Sequence, residues 1–316
     1  MAHLIETMAY ANEVPWHGLG NNINADSPIE DWQRQSGLDW TVSKRPVHFA
    51  GKCVPGANSG IHTFKDKFVL VRDTDSRPFS VVSGRYNPVQ PKDILEFFRD
   101  LIDTHGMTIE TAGSLKDGKR IWALAKTGDA HKVLGNNLVN SYLLIATSYD
   151  LTFSTLAQFT SVRVVCNNTL QQSLKDYISR VSIPHFRDFN ATDIHEQLGL
   201  GRAQWGAFSQ ALDAIAKIKL DSAKAKEVLG KVFVAPEKDI TYVDPQVEKI
   251  LRLFEGKAIG ADIAGQTGWG LVNAVTEYAD HHKRARNQGN RLDNAWFGTT
   301  ANIKDAVFHE VLELTS

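Results

Sequence analysis

Cysteine is scarce. The chain holds two, Cys53 and Cys166, far apart in sequence. That pattern excludes a secreted disulfide framework and a zinc ribbon. No apolar run approaches the roughly 20 residues needed to span a bilayer. The opening Met-Ala-His-Leu-Ile-Glu-Thr lacks the basic and apolar regions of a signal peptide. The expectation is a cytoplasmic protein with reduced thiols and no membrane partner. Common catalytic signatures are missing too. There is no G-x-x-x-x-G-K-[ST] phosphate loop, no G-x-G-x-x-G after a strand, no G-x-S-x-G and no H-E-x-x-H. An excess of one charge is also lacking: 35 Lys and Arg stand against 36 Asp and Glu. No whole-protein field draws in DNA or an anionic membrane.

What is there is an ordinary globular composition, 42% hydrophobic and 22% charged over 316 residues. That length suits one large domain or two smaller ones. The charge is uneven. From Lys65 to Arg187, 16 Lys and Arg face 12 Asp and Glu, a net of +4, while both flanks are mildly acidic. A basic middle fits an anionic ligand, and random scatter would produce it equally well.

The patterning predicts strands with one inserted helix, then mostly helices. Residues 1–38 read as irregular, apart from a short helix with Ser27 as N-cap and Pro28 at its first position. Strand-like runs follow at Trp40–Phe49, Phe68–Arg72 and Phe79–Val82, the last two joined by the turn residues 73–78. Ile94, Leu95, Phe98, Leu101 and Ile102 recur at helical spacing, so Pro91 to His105 is predicted as one helix. Strands resume at Met107–Ala112 and Arg120–Ala125 around an Asp117-Gly118 turn, and at Ser141–Thr147. Phe153 to Cys166 is predicted to hold one or two more. At Asn167 the period becomes helical, with Leu170, Leu174, Tyr177 and Ile178 on one side and Asn167 or Asn168 as N-cap. Helices are then predicted over 192–218, 221–233, 244–255, 268–286 and 302–314. The fold class is α+β: a mainly antiparallel sheet with packed helices, followed by a helical C-terminal region. The expected divisions are an N-terminal arm and first strand at 1–60, an α+β core at 61–187 and a helical region at 188–316.

Four features invite chemistry, and each has a plainer alternative. A strand running into a helix at Arg163-Val-Val-Cys-Asn-Asn-Thr-Leu170 would expose backbone N–H groups beside a cation, a phosphate-binding arrangement; otherwise the asparagines merely cap. Cys166 at that helix start is a nucleophile candidate. With no partner base nearby, it reads as a small buried side chain. Glu277, Asp280 and His281 would share one helix face at i, i+3 and i+4. That is half a metal site, or a polar network fixing the helix. Basic residues near aromatics, namely Arg72, Arg77, Arg85 with Tyr86, Lys116, Lys119 and Arg120 with Trp122, would track a single-stranded backbone and stack bases, or decorate solvated hairpin ends. Lys283, Arg284, Arg286 and Arg291 form a second basic stretch, which helix C-terminal charge complementarity would also explain.

Five motifs occur in order: Pro15-Trp-His-Gly-Leu-Gly20, Tyr86-Asn-Pro-Val-Gln90, Thr111-Ala-Gly-Ser-Leu115, Arg163–Leu170 and Asn273-Ala-Val-Thr-Glu-Tyr-Ala-Asp-His281. Together they resemble a phage/plasmid-like family built on a bacterial domain of unknown function, over nearly the whole chain. The resemblance implies a mobile-element context and no established activity. The chain departs from it at Tyr149-Asp150, where the resemblance implies His-Asp, which weakens a catalytic role there. The element order with a basic middle also resembles Rad52-like and phage single-strand annealing proteins, which are oligomeric.

The expected function is therefore non-catalytic. The chain would bind single-stranded DNA and anneal strands in recombination, as a homo-oligomer without a cofactor or a resident metal. Arg72, Arg85, Lys119, Arg120 and Arg163 would contact the backbone, with Tyr86 and Trp122 stacking. The alternatives are a metal-dependent, nuclease-like enzyme using Glu277, Asp280 and His281, and a structural or counter-defence factor that binds another protein.

Overall fold

The structure, a computed structural model, describes residues 5–12, 14–15, 18–51, 60–135, 137–163, 168–171, 180–198, 202–233, 244–285 and 288–315. β1 (Ile5–Tyr10), β2 (Asn21–Asn22) and α1 (Ile29–Gln35) lead into β3 (Val42–Ala50), β4 (Ile61–Arg72) and β5 (Arg77–Ser83). Next come α2 (Pro91–Glu96), α3 (Arg99–His105), β6 (Thr108–Leu115), β7 (Arg120–Val133), β8 (Asn137–Ser148) and β9 (Thr155–Arg163). β10 (Asn168–Gln171) and β11 (Arg180–Ile183) close the sheet region. The remainder is helical: α4 (Ala191–Leu198), α5 (Arg202–Lys217), α6 (Ser222–Phe233), α7 (Pro245–Arg252), α8 (Ala261–Ala264), α9 (Gly268–Glu277), α10 (Gln288–Phe297) and α11 (Thr299–Glu313). A π-helical turn occupies Tyr278–His282, and α7 runs out through Leu253–Lys257, where Gly256 at φ 121° breaks the helix. The fold is α+β, as the patterning predicts.

The main sheet runs β10-β9-β8-β7-β6-β1-β2, with β11 also paired to β9. Every pairing in it is antiparallel except β1 with β2. Across Arg120–Ala125 of β7 and the facing part of β8 both faces are buried. Successive strand residues point to opposite sides, so Ile121, Ala123 and Ala125 enter one core while Trp122 and Leu124 enter another. The first core is completed by α1–α4 and by a three-stranded sheet, β3-β4-β5. It draws on Ala9 through Leu198, residues from both sides of the expected divisions at 60 and 187. The second face is covered by Ala295 and Trp296 of α10. At the far end of the β7–β8 hairpin, Val133 and Val139 join the helical core of α5–α9 and α11. No described helix is long and apolar enough to cross a membrane.

Several local expectations are corrected. The N-terminal stretch is not wholly irregular: β1 enters the main sheet beside β6. Ser27 does not cap α1; Pro28 stands at the N-cap, and no side chain there caps. The helix over 91–105 is broken at Phe97 and Phe98, which lets both adjacent rings enter the core. Asn168 opens no helix. Residues 168–171 form β10 against β9, and Leu170 is held where Thr160 and Ser161 donate to its carbonyl at 3.0 and 3.1 Å. Ladder pairing prevails there over capping propensity. Leu174, Tyr177 and Ile178, like Asn167, Cys166, Cys53, Trp16 and His17, lie outside the described residues. The helix predicted over 192–218 divides into α4 and α5, and α10 was not anticipated.

Gly113 is the tightest point of the β1–β6–β7 crossing. A Cβ there would overlap the Thr7 carbonyl and come within 2.6 Å of Met8 Cβ and 2.8 Å of the Trp122 ring. Gly113→Ala is expected to cost about 1–3 kcal/mol. Gly206 in α5 has nothing within 4 Å, and Gly206→Ala is expected to gain roughly 0.5–1 kcal/mol. Urea midpoints at unchanged m-value report both signs.

Two half-buried imidazoles add a pH dependence. His185 stacks on Tyr86 at 4.7 Å and His195 packs on Phe97 at 4.5 Å. Burial holds both below the ordinary imidazole value. As pH falls through about 6.5, the unfolded chain takes up protons that the folded one refuses, so stability drops. Denaturation midpoints measured from about pH 7.5 to 5.5 should fall, and the fall should be shallower in the His185→Gln/His195→Gln variant.

Candidate functional site

Most of the basic and aromatic residues singled out in the sequence lie in the interior. Arg120, at the start of β7, is buried and its guanidinium lies 5.3 Å above the Phe153 ring. It donates to Thr152 Oγ1 at 2.8 Å, sits 3.3 Å from Asp150 Oδ2 and pairs with Asp293 of α10. Lys116 reaches Asp293 Oδ2 at 2.9 Å. Two cations and two carboxylates thus join two hairpin turns to α10. Burial holds both Lys116 and Arg120 below their ordinary values.

Arg72 is also buried, pairing with Glu6 at 2.9 Å and Asp75 at 2.6 Å beneath Trp40. The hydrogen bond to Asp75 raises its pKa. Trp122 is 1% exposed, packs on Trp296 and donates to Thr111 Oγ1 at 3.3 Å. Arg85 is exposed and Lys119 half-buried. Arg163 pairs through its backbone with Val139 and Asn168, and its side chain lies outside the described residues.

Tyr86 and Tyr149 form a reciprocal tie. Tyr86 donates to the Ser148 carbonyl at 3.2 Å, and Tyr149 donates to the Val89 carbonyl at 2.7 Å. Tyr149 is fully buried and stacks on Phe79 at 5.3 Å. Burial pushes both phenols up. Where the family resemblance implies His-Asp, this chain therefore has a core tyrosine and, in Asp150, a partner for Arg120.

Glu277, Asp280 and His281 do not present one face. The turn after Glu277 is π-helical, with Lys283 N donating to Tyr278 O at 2.7 Å across five residues. Glu277 accordingly meets His282 at 3.3 Å and accepts from Ile259 N at 2.8 Å. Asp280 accepts from buried Lys304 at 2.7 Å, and its carbonyl accepts from Arg291 at 3.2 Å. Among the described residues no group of three His, Cys, Asp or Glu is arranged to hold a metal ion.

An exposed surface lies elsewhere. β5 pairs with β4 only over Lys67 to Arg72, whereas β3 and β4 continue past it as a two-stranded ribbon. A bulge separates the two parts, marked by Asp66 at φ 58°. On the ribbon, Phe49 is 50% exposed, Phe64 52% and Ile61 65%. Phe49 stacks on His62 across the strands at 5.4 Å, and Phe64 meets Phe49 edge-on at 6.5 Å. His48 Nδ1 and Thr63 Oγ1 are 3.0 Å apart. Lys65 and Lys67 are exposed in the bulge. Arg45 is 3.3 Å from Asp73, whose carboxyl is lowered chiefly by its hydrogen bond from Ser43. Lys44 donates to the Gly84 carbonyl at 2.9 Å, which brings Arg85 to the same end. Asp66 is the only acidic residue within β3 and β4. Phe49, His62, Phe64, Lys65 and Lys67 were not singled out in the sequence. The run Ile61-His-Thr-Phe-Lys-Asp-Lys67, aromatic and basic without buried spacing, was the available signal.

A family model described as Domain of unknown function (DUF932) matches residues 78–296, more than two thirds of the chain. The chain belongs to this family. The DUF932 match opens within β5 and closes within α10, so it contains Arg120 and Asp293 together, and the ribbon precedes it. No curated protein and no solved structure matches the chain.

Asp293→Asn would leave Arg120 and Lys116 sharing Asp150 alone in a poorly solvated place. Such loss of one partner costs roughly 3–5 kcal/mol. Chemical denaturation should show that loss, and Asp31→Asn at the exposed pair with Arg34 should change stability by less than about 1 kcal/mol.

Proposed function

We propose that this DUF932 protein binds single-stranded DNA, without catalysis, through the β3–β4 ribbon and the adjoining Arg85. The observation that carries the reading is the cationic ribbon itself. Lys65 and Lys67 stand exposed where β3 and β4 run on past β5, Lys44 and Arg45 adjoin them within the sheet, and Asp66 is the one acidic residue within the two strands, with Asp73 just past β4 holding Arg45. A net charge near zero over the whole chain leaves this as a local field, suited to a ligand that touches one place. Exposed rings among the cations are the arrangement by which single strands are held without sequence preference. The ordered motifs that resemble the phage/plasmid-like family supply the context, a cytoplasmic mobile-element protein of DNA recombination. The analogy to Rad52-like annealers supplies the rest of the proposal: a homo-oligomer that anneals strands.

Arg85 is retained from the residues first singled out. Arg72, Arg120, Tyr86 and Trp122 are reassigned to the interior, where their polar atoms are already engaged. The DNA contacts move to residues that water reaches.

The test is a salt series with a labelled oligo-dT. Affinity should fall steeply from about 50 to 200 mM salt, because bound phosphates release counterions. Lys65→Glu/Lys67→Glu removes two phosphate contacts and should flatten the log–log slope by about 1.4. Wild-type protein that binds no oligonucleotide at the lowest salt would sink the reading.

A further inference from the structure

We infer that Phe49, His62 and Phe64 form a stacking platform for unpaired nucleobases, so that the ribbon selects a single strand by its bases and not by its phosphates alone. The inference rests on the function proposed above and assigns its specificity.

Three observations carry it. The rings are grouped, since Phe49 and His62 are direct cross-strand partners and Phe64 follows His62 by two residues on the same side. They are also open: Phe49 and Phe64 each keep half their surface in water, although the interior of this chain takes up Phe97, Phe98, Phe208 and Phe308 completely. The sequence does not lack places to bury a phenylalanine, so aromatic exposure on a projecting ribbon calls for an apolar, flat occupant. Cations adjoin the rings, finally. Lys65 follows Phe64 directly, Lys67 follows at two further residues, and neither has an ion-pair partner among the described residues. An occupant that is flat and apolar on its face and anionic along its edge is a nucleotide strand with its bases unstacked. Duplex DNA offers the same phosphates but keeps its base faces covered, so it would reach the lysines and miss the rings.

The geometry suits a platform. The His48–Thr63 contact fixes the register of the two strands beneath the rings. The bulge at Asp66 separates the distal ribbon from the small sheet, and Phe49 and Phe64 belong to none of the three apolar cores. His62, stacked on Phe49 with 29° between the ring planes, takes up one face of that ring and continues the stack with its own.

The test compares three labelled probes of about 20 nucleotides at one salt concentration: oligo-dT, an abasic strand with the same phosphodiester chain, and a duplex. Wild-type protein should bind oligo-dT about tenfold or more tighter than the abasic strand. F49A/F64A should weaken oligo-dT binding roughly tenfold while leaving abasic binding unchanged, so that the preference collapses. F49L/F64L should behave as the alanine variant does, because leucine keeps the apolar surface and loses the flat face. F49W/F64W should restore the preference. A merely structural role would lower binding of all probes together and would be rescued by leucine, which overturns the inference. Equal wild-type binding of oligo-dT and abasic strand overturns it as well, and leaves DNA binding through phosphate standing. Binding of none of the probes removes both readings. If sedimentation shows F49A/F64A falling from oligomer to monomer with the oligo-dT preference intact, the rings are a contact between copies of this chain and the inference fails.

Discussion

Over Arg120–Ala125 and the facing residues 143–148, the β7–β8 pair has no side that water reaches, and most of the architecture is a response to that. Ile121, Ala123 and Ala125 pack one way, Trp122 and Leu124 the other, and β8 repeats the division with Leu143 and Ile145 against Leu144 and Ala146. A sheet apolar on both faces must be covered twice. One cover is α1–α4 with the small sheet, and the other is α10, delivered from the far end of the chain. The hairpin then runs on until Val133 and Val139 reach the helical core. A single pair of strands thereby takes part in all three apolar clusters.

Covering the second face brings charges into poorly solvated places, and that requirement consumes the residues that resemble a DNA-binding set. A guanidinium taken out of water must meet carboxylates. Arg120 finds Asp150 at its own end of the sheet and Asp293 from α10, while Arg72 finds Glu6 from β1 and Asp75 from the adjacent turn. The family motifs behave in the same way. Tyr86 and Tyr149 hold each other's segments by their phenols, and the Asp280 carboxylate serves buried Lys304. Among the described residues of these motifs, the phenol and the carboxylate organise packing.

The ribbon stands outside this logic. It contributes nothing beyond Val42 and Leu70 of its strands to the first core, with Phe68 packed at the edge. Its distal half carries rings and cations into water. Exposed β-edges usually invite unwanted pairing, and lysines, a proline at Pro46 and a bulge are the devices that blunt it. Here the same lysines also make the surface fit for an anionic strand, so that solubility and the proposed recognition draw on one set of side chains.

The sequence by itself determined the class and most elements. Period-2 and period-3.6 patterns are local, so the strands at 40–49, 107–112, 120–125 and 141–147 and the amphipathic helices after 190 could be read from neighbouring residues alone. So could the turn at Asp117-Gly118, where the backbone is left-handed at Lys116, Asp117 and Gly118. Tertiary structure decided what those elements face. Whether Arg120 is a surface cation or half of a buried pair depends on Asp293, 173 residues later. Whether Asn168 caps a helix or enters a ladder depends on β9 being free to pair. Whether Glu277 aligns with His281 or with His282 depends on a π-helical turn whose carboxylate is claimed by Lys304 of another helix. Burial and partnership are properties of residues distant in sequence. The chain's order states which groups are charged or aromatic, and only the folded arrangement settles which of them water can touch.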